Sequence, residues 1–386
     1  PLRAAVVADD PGTLGKAAER LSRLIHEDPP PTGKRSRNDR RQSAWYGSRQ
    51  QNLRLGFLFP GQGAQRIDMG RSLVARHPWA RELFDMGAAR VKAAGGADMG
   101  ALLYPHSAGI SETGDSPDFQ SVLSRTENAQ PAICLISLIY LEYLRRLGIS
   151  PTAVGGHSLG ELVAFFAAGA YDKNTLMDLA TLRGQAMAEA HGAGGGMVSL
   201  QCTYEGAERL LGKIDDYLVL ANHNSPRQMV LSGEVQAVEQ AIQLAAAEGI
   251  LTHRLAVSGA FHSRLGAEAA SRIGREAQLP ESIDTLRCHL FTSTNGGELT
   301  AGAPLHQHFV DQIQSQVDFV ALVNRMQPVC DQFIEVGPGR ALSGLVADIN
   351  GPEAPGCLPV APTPAAETGL HRVLAQLYTS GANIHW

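Results

Sequence analysis

The chain alternates between short apolar runs and longer segments in which apolar residues recur with a helical spacing. Residues 55–59 are apolar and lead into a glycine-rich turn at 60–63, and residues 152–156 form a second apolar run before the sequence GHSLG at 156–160. Short apolar runs bounded by glycine are typical of buried strands. Further strands are predicted at 286–293 and 332–336, and helices at 126–147, 161–169, 173–191 and 367–380, with helical stretches inside 305–326.

Residues 192–257 follow a different order of elements. A glycine-rich boundary at 192–196 is followed by strand, helix, two strands, helix and strand, which is the ferredoxin-like order. The strands are predicted at 197–200, 218–222, 228–232 and 251–257, and the helices at 204–212 and 235–249. The pattern therefore predicts an α/β fold in which a small ferredoxin-like domain, 192–257, is inserted into a larger body formed by 53–191 and 258–386.

Residues 1–52 form a separate segment. A short apolar strand at 4–7 precedes Asp10 and Pro11, which are favoured at the start of a helix. The stretch from Pro29 to Arg54 then carries seven basic residues and one acidic residue. Nucleic-acid binding is disfavoured because Trp45 and Tyr46 are the only aromatic residues interleaved with these charges. We expect a linker segment made of a strand, a helix and a basic loop.

Composition excludes several classes of protein. The chain has 386 residues, 44% of them hydrophobic, and a formal net charge of −5, which argues against disorder and against a protein dominated by phosphate contacts. Its longest nearly apolar run, 132–141, is about half of a membrane span. The five cysteines show no metal-binding spacing, so we expect free thiols, no metal site and a cytoplasmic protein. Since the first residue is Pro1, we expect a piece of a longer polypeptide.

The most specific chemical signal is the Gly-x-Ser-x-Gly motif at 156–160. It lies between a predicted strand and a predicted helix, where glycines allow a tight turn that exposes the serine, as in α/β-hydrolase-like folds. Ser158 is therefore the candidate nucleophile, and the backbone N–H of Leu159 can donate to an oxyanion. The alternative is a serine that only caps an ordinary strand-to-helix turn.

A nucleophilic serine needs a general base, and the chain has 13 histidines. His262 lies where the chain leaves the small domain, and a domain junction lines a cleft, so His262 is the candidate base. His157 is expected to be a packing or hydrogen-bonding neighbour. The remaining histidines in polar surroundings are expected at the surface: His77, His106, His306 and His308.

Arg183 lies within an otherwise apolar helical segment. A guanidinium group binds a carboxylate through two parallel hydrogen bonds, which lysine cannot imitate. Arg183 is therefore a candidate for binding a substrate carboxylate. The alternative is an arginine whose charged end reaches the surface.

Five motifs occur in the order found in malonyl-CoA:acyl carrier protein acyltransferases, and the chain resembles that family from about Leu55 to Trp386. Residues 1–52 resemble the linker between a ketosynthase and an acyltransferase in a type I polyketide synthase. The general appearance of the chain, without a specific motif, further suggests an iterative synthase of the enediyne type. The motifs are FPGQGAQ at 59–65, GHSLGE at 156–161, LRG at 182–184, GAFHS at 259–263 and EVGPG at 335–339.

The resemblance implies an enzyme with a ping-pong mechanism. Ser158 would attack malonyl-CoA with His262 as base, and the malonyl ester would pass to the phosphopantetheine thiol of an acyl carrier protein, supplying extender units for a polyketide. No bound cofactor is implied. The backbone N–H groups of Gln62 and Leu159 would form the oxyanion hole. A backbone carbonyl, expected from the turn at Val336-Gly337, would orient His262 in place of an aspartate.

The resemblance also assigns the residues around the acyl group. Arg183 would bind the malonyl carboxylate, and Ala260 and Phe261 match the malonyl-selecting pattern, since a bulky Phe261 would crowd an α-methyl group. Asn222 and Asn224 resemble a polar pair that borders the pocket, with His157 as a further lining residue; for the two asparagines, simple turn chemistry before Pro226 is the alternative.

One departure from the family pattern is a QVDF sequence at 316–319, where many members have PVRF. We expect it to alter packing or the surface without affecting the Ser158–His262 pair. The implied partners are the carrier protein and an adjacent ketosynthase domain, with no nucleic acid and no membrane. Two other functions stay open at this point, a serine hydrolase on the same scaffold and a non-catalytic docking domain.

Overall fold

The structure is a computed structural model that describes residues 2–27, 37–39, 43–48, 53–105, 118–190, 194–257, 259–352, 354–364 and 367–386. Its helices are α1 (Pro11–Glu27), α2 (Arg71–Arg76), α3 (Pro78–Ala93), α4 (Met99–Leu103), α5 (Phe119–Ser124), α6 (Thr126–Arg146), α7 (Gly160–Ala168), α8 (Lys173–Glu189), α9 (Tyr204–Leu211), α10 (Val235–Ala247), α11 (Ala267–Glu276), α12 (Leu305–Gln314), α13 (Phe319–Met326), α14 (Ala341–Asn350) and α15 (Thr368–Thr379). Its strands are β1 (Leu2–Val6), β2 (Arg37–Asn38), β3 (Ala44–Ser48), β4 (Leu55–Phe59), β5 (Ala153–Gly156), β6 (Gly195–Leu200), β7 (Leu218–Ser225), β8 (Gln228–Glu234), β9 (Thr252–Arg254), β10 (His289–Phe291), β11 (Glu298–Leu299), β12 (Val317–Asp318), β13 (Gln332–Pro338) and β14 (Cys357–Ala361).

The large body is built on a six-stranded sheet with the strand order β11-β10-β5-β4-β13-β14. Every pair in it is parallel except β10 with β11. Strand β4 is buried along its whole length, and so are most residues of the long helix α6. Central parallel strands carry helices on both faces, which explains why their sequence is apolar without alternation.

The small sheet has the order β12-β7-β8-β6-β9. Strands β6, β7, β8 and β9 are antiparallel and, with α9 and α10, follow the predicted ferredoxin-like order. The α/β body with a ferredoxin-like insertion is therefore confirmed. The exact domain limits stay a prediction, and part of the glycine-rich boundary, 192–193, and Ser258 lie outside the described residues.

The fifth strand of the small sheet comes from the body and was not predicted. Val317 and Asp318 pair in parallel with Asn222 and His223 of β7. A two-residue strand carries no recognisable periodicity, so the sequence indicated only helical stretches here. This strand links the small sheet to the segment between α12 and α13.

The N-terminal segment contains two strands that the sequence did not predict, β2 and β3. Strand β3 pairs antiparallel with β1, and Asp10 caps α1 by accepting a hydrogen bond from the backbone N–H of Thr13 at 2.9 Å. Trp45 and Tyr46 are 1% and 2% exposed, so they pack inside the protein instead of presenting faces to bases. Most of the predicted basic loop lies outside the described residues, including Lys34, Arg35, Arg40, Arg41 and Arg49.

The predicted strand at 286–293 is shorter in the structure. Strand β10 ends at Phe291, after which the backbone N–H of Thr292 bonds to the carbonyl of Gly297 and that of Ser293 bonds to the carboxylate of Glu161. Strand β10 ends here because these two N–H groups donate to acceptors outside the neighbouring strand. No helix in the described part of the chain is both long and apolar enough to cross a membrane.

We predict that Gly160→Ala destabilises the protein strongly. A Cβ at Gly160 would lie 2.0 Å from the carbonyl oxygen of Phe59, a backbone atom that cannot move aside. Overpacking of this kind costs about 1–3 kcal/mol or more in free energy of unfolding. Urea unfolding followed by circular dichroism measures the change.

The matched control is Gly15→Ala in helix α1, where a Cβ would meet no atom within 4 Å. Alanine is favoured over glycine inside a helix, so the free energy of unfolding of this variant should rise by about 0.5–1 kcal/mol. Equal stability of the two variants would contradict the packing that we describe at the turn.

Candidate active site

The candidate nucleophile lies on a tight turn between β5 and α7. Ser158 has φ 50°, a left-handed backbone conformation that is strained for a residue with a side chain. Gly156 and Gly160 make the turn possible, because a Cβ on Gly156 would lie 2.1 Å from the carbonyl carbon of Gly160. The sequence motif is therefore explained by close packing of the strand against the helix.

The hydroxyl of Ser158 lies 2.7 Å from Nε2 of His262. His262 is 4% exposed and also has a left-handed backbone, with φ 55°. Its Nδ1–H donates to the carbonyl oxygens of Ser315 at 2.9 Å and Gln312 at 3.2 Å. These bonds keep the proton on Nδ1, so the lone pair of Nε2 can accept the proton of Ser158.

The source of the orienting carbonyl corrects one expectation. Val336-Gly337 was expected to supply it, but the carbonyls of Gln312 and Ser315, at the end of α12, do so. The turn at Gly337 serves close packing instead, because a Cβ there would lie 2.5 Å from Oγ of Ser137.

Electrostatics keep His262 neutral. Burial, the positive charge of Arg183 and the neighbouring His157 lower the pKa of His262 from 6.5 to about 3. A neutral imidazole is the form that can remove a proton from a serine hydroxyl. The imidazole of His262 is therefore unprotonated across the whole physiological pH range.

Arg183 lies beside the nucleophile and is 2% exposed. Its Nη2–H groups donate to Ser158 Oγ and to Oε1 of Gln312, both at 3.3 Å, and Nη1 donates to Oε1 of Gln130 at 2.8 Å. Burial lowers the pKa of Arg183 to about 10, so the guanidinium remains charged at neutral pH. The surface alternative is excluded.

The partners of Arg183 are all neutral. Within the described residues no carboxylate forms an ion pair with it, and its buried Nε–H has no acceptor. The carboxylate of Glu161 acts on Arg183 only indirectly, through the amide of Gln312. A buried cation that no anion contacts is costly, so this arrangement favours an anionic group next to Ser158.

The two candidate oxyanion donors are the backbone N–H groups of Gln62, in the turn after β4, and Leu159, in the turn after β5. Gln62 lines the cleft and directs its side chain to Thr126 Oγ1 at 3.2 Å, while Leu159 is buried at the start of α7. Neither backbone N–H bonds to an acceptor among the residues that the structure describes. Both donors are therefore available to an oxyanion.

The candidate pocket residues of the small domain meet the body across the cleft. His157 Nε2 lies 2.7 Å from Oδ1 of Asn224, whose amide donates to Gln228 at 2.9 Å. Burial lowers the pKa of His157, so its imidazole is neutral, and its Nε2–H donates to Asn224.

Asn222 and Phe261 also line the cleft, which has a volume of about 1070 Å³. Ala260 is buried beside Gly195 and does not line it.

Two polar side chains beside the candidate site, Gln312 and Glu161, were not predicted from the sequence. Gln312 contacts Arg183, donates through Nε2 to the carbonyl of Ser158 at 2.8 Å, and supplies a carbonyl to His262. Glu161 is fully buried beneath the turn. Its place directly after the GHSLG motif was a usable signal, whereas nothing near Gln312 in the sequence indicated its role.

The other histidines differ partly from expectation. His308 was expected at the surface, but its side chain is only 14% exposed and its Nε2 lies 3.0 Å from Glu161. His77 and His306 are half-buried, and His106 lies outside the described residues. At the departure from the family pattern, Asp318 Oδ1 lies 3.2 Å from Nδ1 of His223 in the small domain, and the expected change in packing stays a prediction.

Comparison with known proteins identifies the family. Residues 56–348 match the family model described as an acyl transferase domain. The chain belongs to this family. It is therefore an acyltransferase, with Ser158 and His262 inside the matched region.

Individual relatives agree with this assignment. The malonyl CoA-acyl carrier protein transacylase of Bacillus subtilis is 33% identical over 77% of this chain and 90% of its own length. The polyketide synthase GfsA of Streptomyces halstedii is 30% identical over 100% of this chain, which spans only 5% of that protein.

Solved structures give the same result. The acyltransferase domain from the second module of the salinomycin polyketide synthase matches with a TM-score of 0.80 and 29% identity, over 100% of this chain and 84% of that one. The acyltransferase domain of an iterative polyketide synthase in enediyne biosynthesis matches with a TM-score of 0.72 and 29% identity. The match covers 99% of this chain and 84% of that one.

We predict that acylation of Ser158 by a thioester keeps its rate as the pH falls through 6.5. A base with a lowered pKa loses activity only when the pH falls to that lower value, which for His262 is about 3. The measurement is single-turnover acylation from about pH 5 to about pH 8.

Arg183→Ala provides the comparison, since its positive charge is one of the causes that lower the pKa of His262. In this variant, the pH below which the acylation rate falls should rise toward 6.5, the ordinary pKa of a histidine. A wild-type acylation rate that already falls near pH 6.5 would contradict the electrostatic description of the site.

Proposed function

We propose that this chain transfers malonyl groups from malonyl-CoA to the phosphopantetheine thiol of an acyl carrier protein. The observation that carries the proposal is the buried guanidinium of Arg183, 3.3 Å from the hydroxyl of Ser158 and without a carboxylate partner among the described residues. Malonyl is a short acyl group with a free carboxylate, which would give Arg183 the missing counterion. The transacylase relatives and the polyketide synthase relatives support this choice.

The first half-reaction loads the enzyme. Ser158 Oγ attacks the thioester carbonyl while Nε2 of His262, 2.7 Å away, takes the hydroxyl proton. The tetrahedral oxyanion accepts hydrogen bonds from the backbone N–H groups of Gln62 and Leu159, each worth about 3 kcal/mol in the transition state. The C–S bond then breaks, the thiolate of coenzyme A takes the proton from His262, and a malonyl-serine ester remains.

The second half-reaction reverses these roles with a new thiol. The carrier-protein thiol gives its proton to His262 and attacks the ester carbonyl, and Ser158 leaves as an alcohol by taking that proton back. Arg183 holds the malonyl carboxylate in both steps, so the carbonyl stays between Ser158 and the oxyanion donors.

Selection against an α-methyl group is assigned to Phe261. Its ring is 8% exposed and lines the cleft directly before His262. A methyl group in a well-packed pocket changes binding by about 1–3 kcal/mol, so methylmalonyl should be a poor substrate without being excluded. Ala260 would act only by leaving room for this ring.

We assign the chain to a type I polyketide synthase in which residues 1–52 follow a ketosynthase domain. The support is the match of the whole chain to GfsA and to two acyltransferase domains of polyketide synthases. Within the described part, Arg3 donates to the carbonyls of Tyr378 and Ala382, so the N-terminal segment packs on helix α15. The proposed division is a linker at 1–52, a body at 53–191 and 258–386, and an insertion at 192–257.

The proposal is tested by trapping the acyl-enzyme. Incubation with malonyl-CoA followed by mass spectrometry should add one malonyl group at Ser158, and Ser158→Ala should add none because the nucleophile is absent. Addition of holo carrier protein should then discharge the ester faster than water does. Ser199→Ala, a second serine in the cleft, is the matched control and should load normally.

Two results would contradict the proposal. An unmodified Ser158 after incubation would remove the transferase function and favour a docking domain. Free malonate released equally fast with and without carrier protein would indicate a hydrolase.

A further inference from the structure

The hairpin between β7 and β8 carries an arginine that has no role in the mechanism above. Among the described residues that line the cleft, Arg227 is the only arginine, and none is a lysine. Its side chain is 77% exposed, so it lies where the cleft opens to solvent. A cation at this place attracts the charged part of a ligand whose reactive end lies at the nucleophile.

Asp348 on helix α14 holds one side of the guanidinium. Its Oδ1 accepts a hydrogen bond from Nη2 of Arg227, and its Oδ2 accepts one from the hydroxyl of Ser225 at 2.7 Å. Ser225 is fully buried, so the carboxylate is fixed between the hairpin and α14. Asp348 therefore restricts the directions in which Arg227 can point.

The rest of the guanidinium is available to an anion. Nε and Nη1 of Arg227 bond to no acceptor among the residues that the structure describes. Arginine presents its N–H donors in a planar fork that matches the oxygens of a phosphate. Because an exposed ion pair is weak, Asp348 can orient Arg227 without preventing a second anion from binding.

A row of polar side chains connects this cation to the nucleophile. His157, next to Ser158, donates through Nε2 to Oδ1 of Asn224 at 2.7 Å. The amide of Asn224 donates to Oε1 of Gln228 at 2.9 Å, and Gln228 directly follows Arg227 in the hairpin. The amide N–H groups of Gln228 have no acceptor within the described part of the chain, so they are free to donate into the cleft.

We propose that Arg227 binds the phosphate of the phosphopantetheine arm, in the orientation that Asp348 sets. Along this arm, the thioester or thiol is followed by two amide groups and then by a phosphate ester. The same order of partners runs from Ser158 past the amide of Gln228 to the guanidinium. The inference rests on the proposed function, because it requires substrates that carry this arm.

The alternative is an arginine that only fastens the hairpin to α14 through Asp348. Loss of such a contact would change the shape of the cleft and would affect every thioester equally. A phosphate site, in contrast, distinguishes thioesters with a phosphate from those without one. Substrates that differ only in the phosphate therefore separate the two roles.

The test compares loading of Ser158 from malonyl-CoA and from malonyl-pantetheine, which has the same arm and no phosphate. Arg227→Ala should lower kcat/KM for malonyl-CoA about tenfold, because charge-assisted hydrogen bonds are lost, and should leave malonyl-pantetheine unchanged. Arg227→Lys keeps the charge without the planar fork, so it should recover part of the loss.

A second measurement distinguishes the two sources of phosphate. The loaded enzyme is discharged either by holo carrier protein or by pantetheine. If Arg227→Ala slows discharge by the carrier protein and not by pantetheine, both substrates use the site. If it slows only loading from malonyl-CoA, the result still supports a phosphate site and assigns it to coenzyme A.

Arg209→Ala is the matched control. It removes the same charge from an exposed position on α9, outside the residues that line the cleft, and should behave as the wild type. Circular dichroism of each variant checks that it has folded.

The outcomes separate this inference from the proposed function. Equal losses for malonyl-CoA and malonyl-pantetheine in Arg227→Ala, or no loss for either, would overturn the phosphate site and leave the proposed function in place. A wild type that loads malonyl from neither thioester would overturn the proposed function itself.

Discussion

A buried positive charge is the constraint on which the rest of the site depends. Arg183 is 2% exposed and contacts only the neutral oxygens of Gln130, Gln312 and Ser158. A cation in this position is costly until an anion contacts it, and we propose that an acyl group with a carboxylate completes the site. Burial, the larger cause, and this charge together lower the pKa of His262 and keep the base neutral. Under the proposed function, both substrate choice and the state of the base therefore depend on Arg183.

The scaffold supports this constraint through strained and rigid elements. Ser158 and His262 both adopt left-handed backbone conformations, with φ 50° and 55°, that only close packing can maintain. The segment after α12 then connects the base to the small domain. Ser315 supplies a carbonyl to His262, and two residues later β12 pairs with β7, the strand that carries Asn222 and Asn224. A displacement of the small sheet would thus be transmitted to His262 through the short backbone segment between Ser315 and β12.

Much of the fold and part of the site could be predicted from the sequence. Ser158 was predictable because the turn demands glycines at fixed positions, and the ferredoxin-like order was visible in the alternation of elements at 192–257. The α/β architecture and the acyltransferase family are confirmed. The roles of the individual site residues, however, stay proposals.

The remaining features depend on contacts between distant parts of the chain. The carbonyls that orient His262 come from Gln312 and Ser315, about 50 residues away, and a backbone oxygen leaves no mark on residue identity. His308 looked like a surface residue because its neighbours on α12 are polar, yet its own face of the helix packs on Glu161. Strand β12 is too short for any periodicity, and only the presence of β7 makes it a strand.

The most direct test of the central claim is a competition among malonyl-CoA, methylmalonyl-CoA and acetyl-CoA, read by mass at Ser158 in the wild type and in Arg183→Ala. The account predicts that malonyl dominates in the wild type, that methylmalonyl follows, and that the preference for a carboxylate disappears in Arg183→Ala. An Arg183→Ala enzyme that still selects malonyl over acetyl as the wild type does would contradict it.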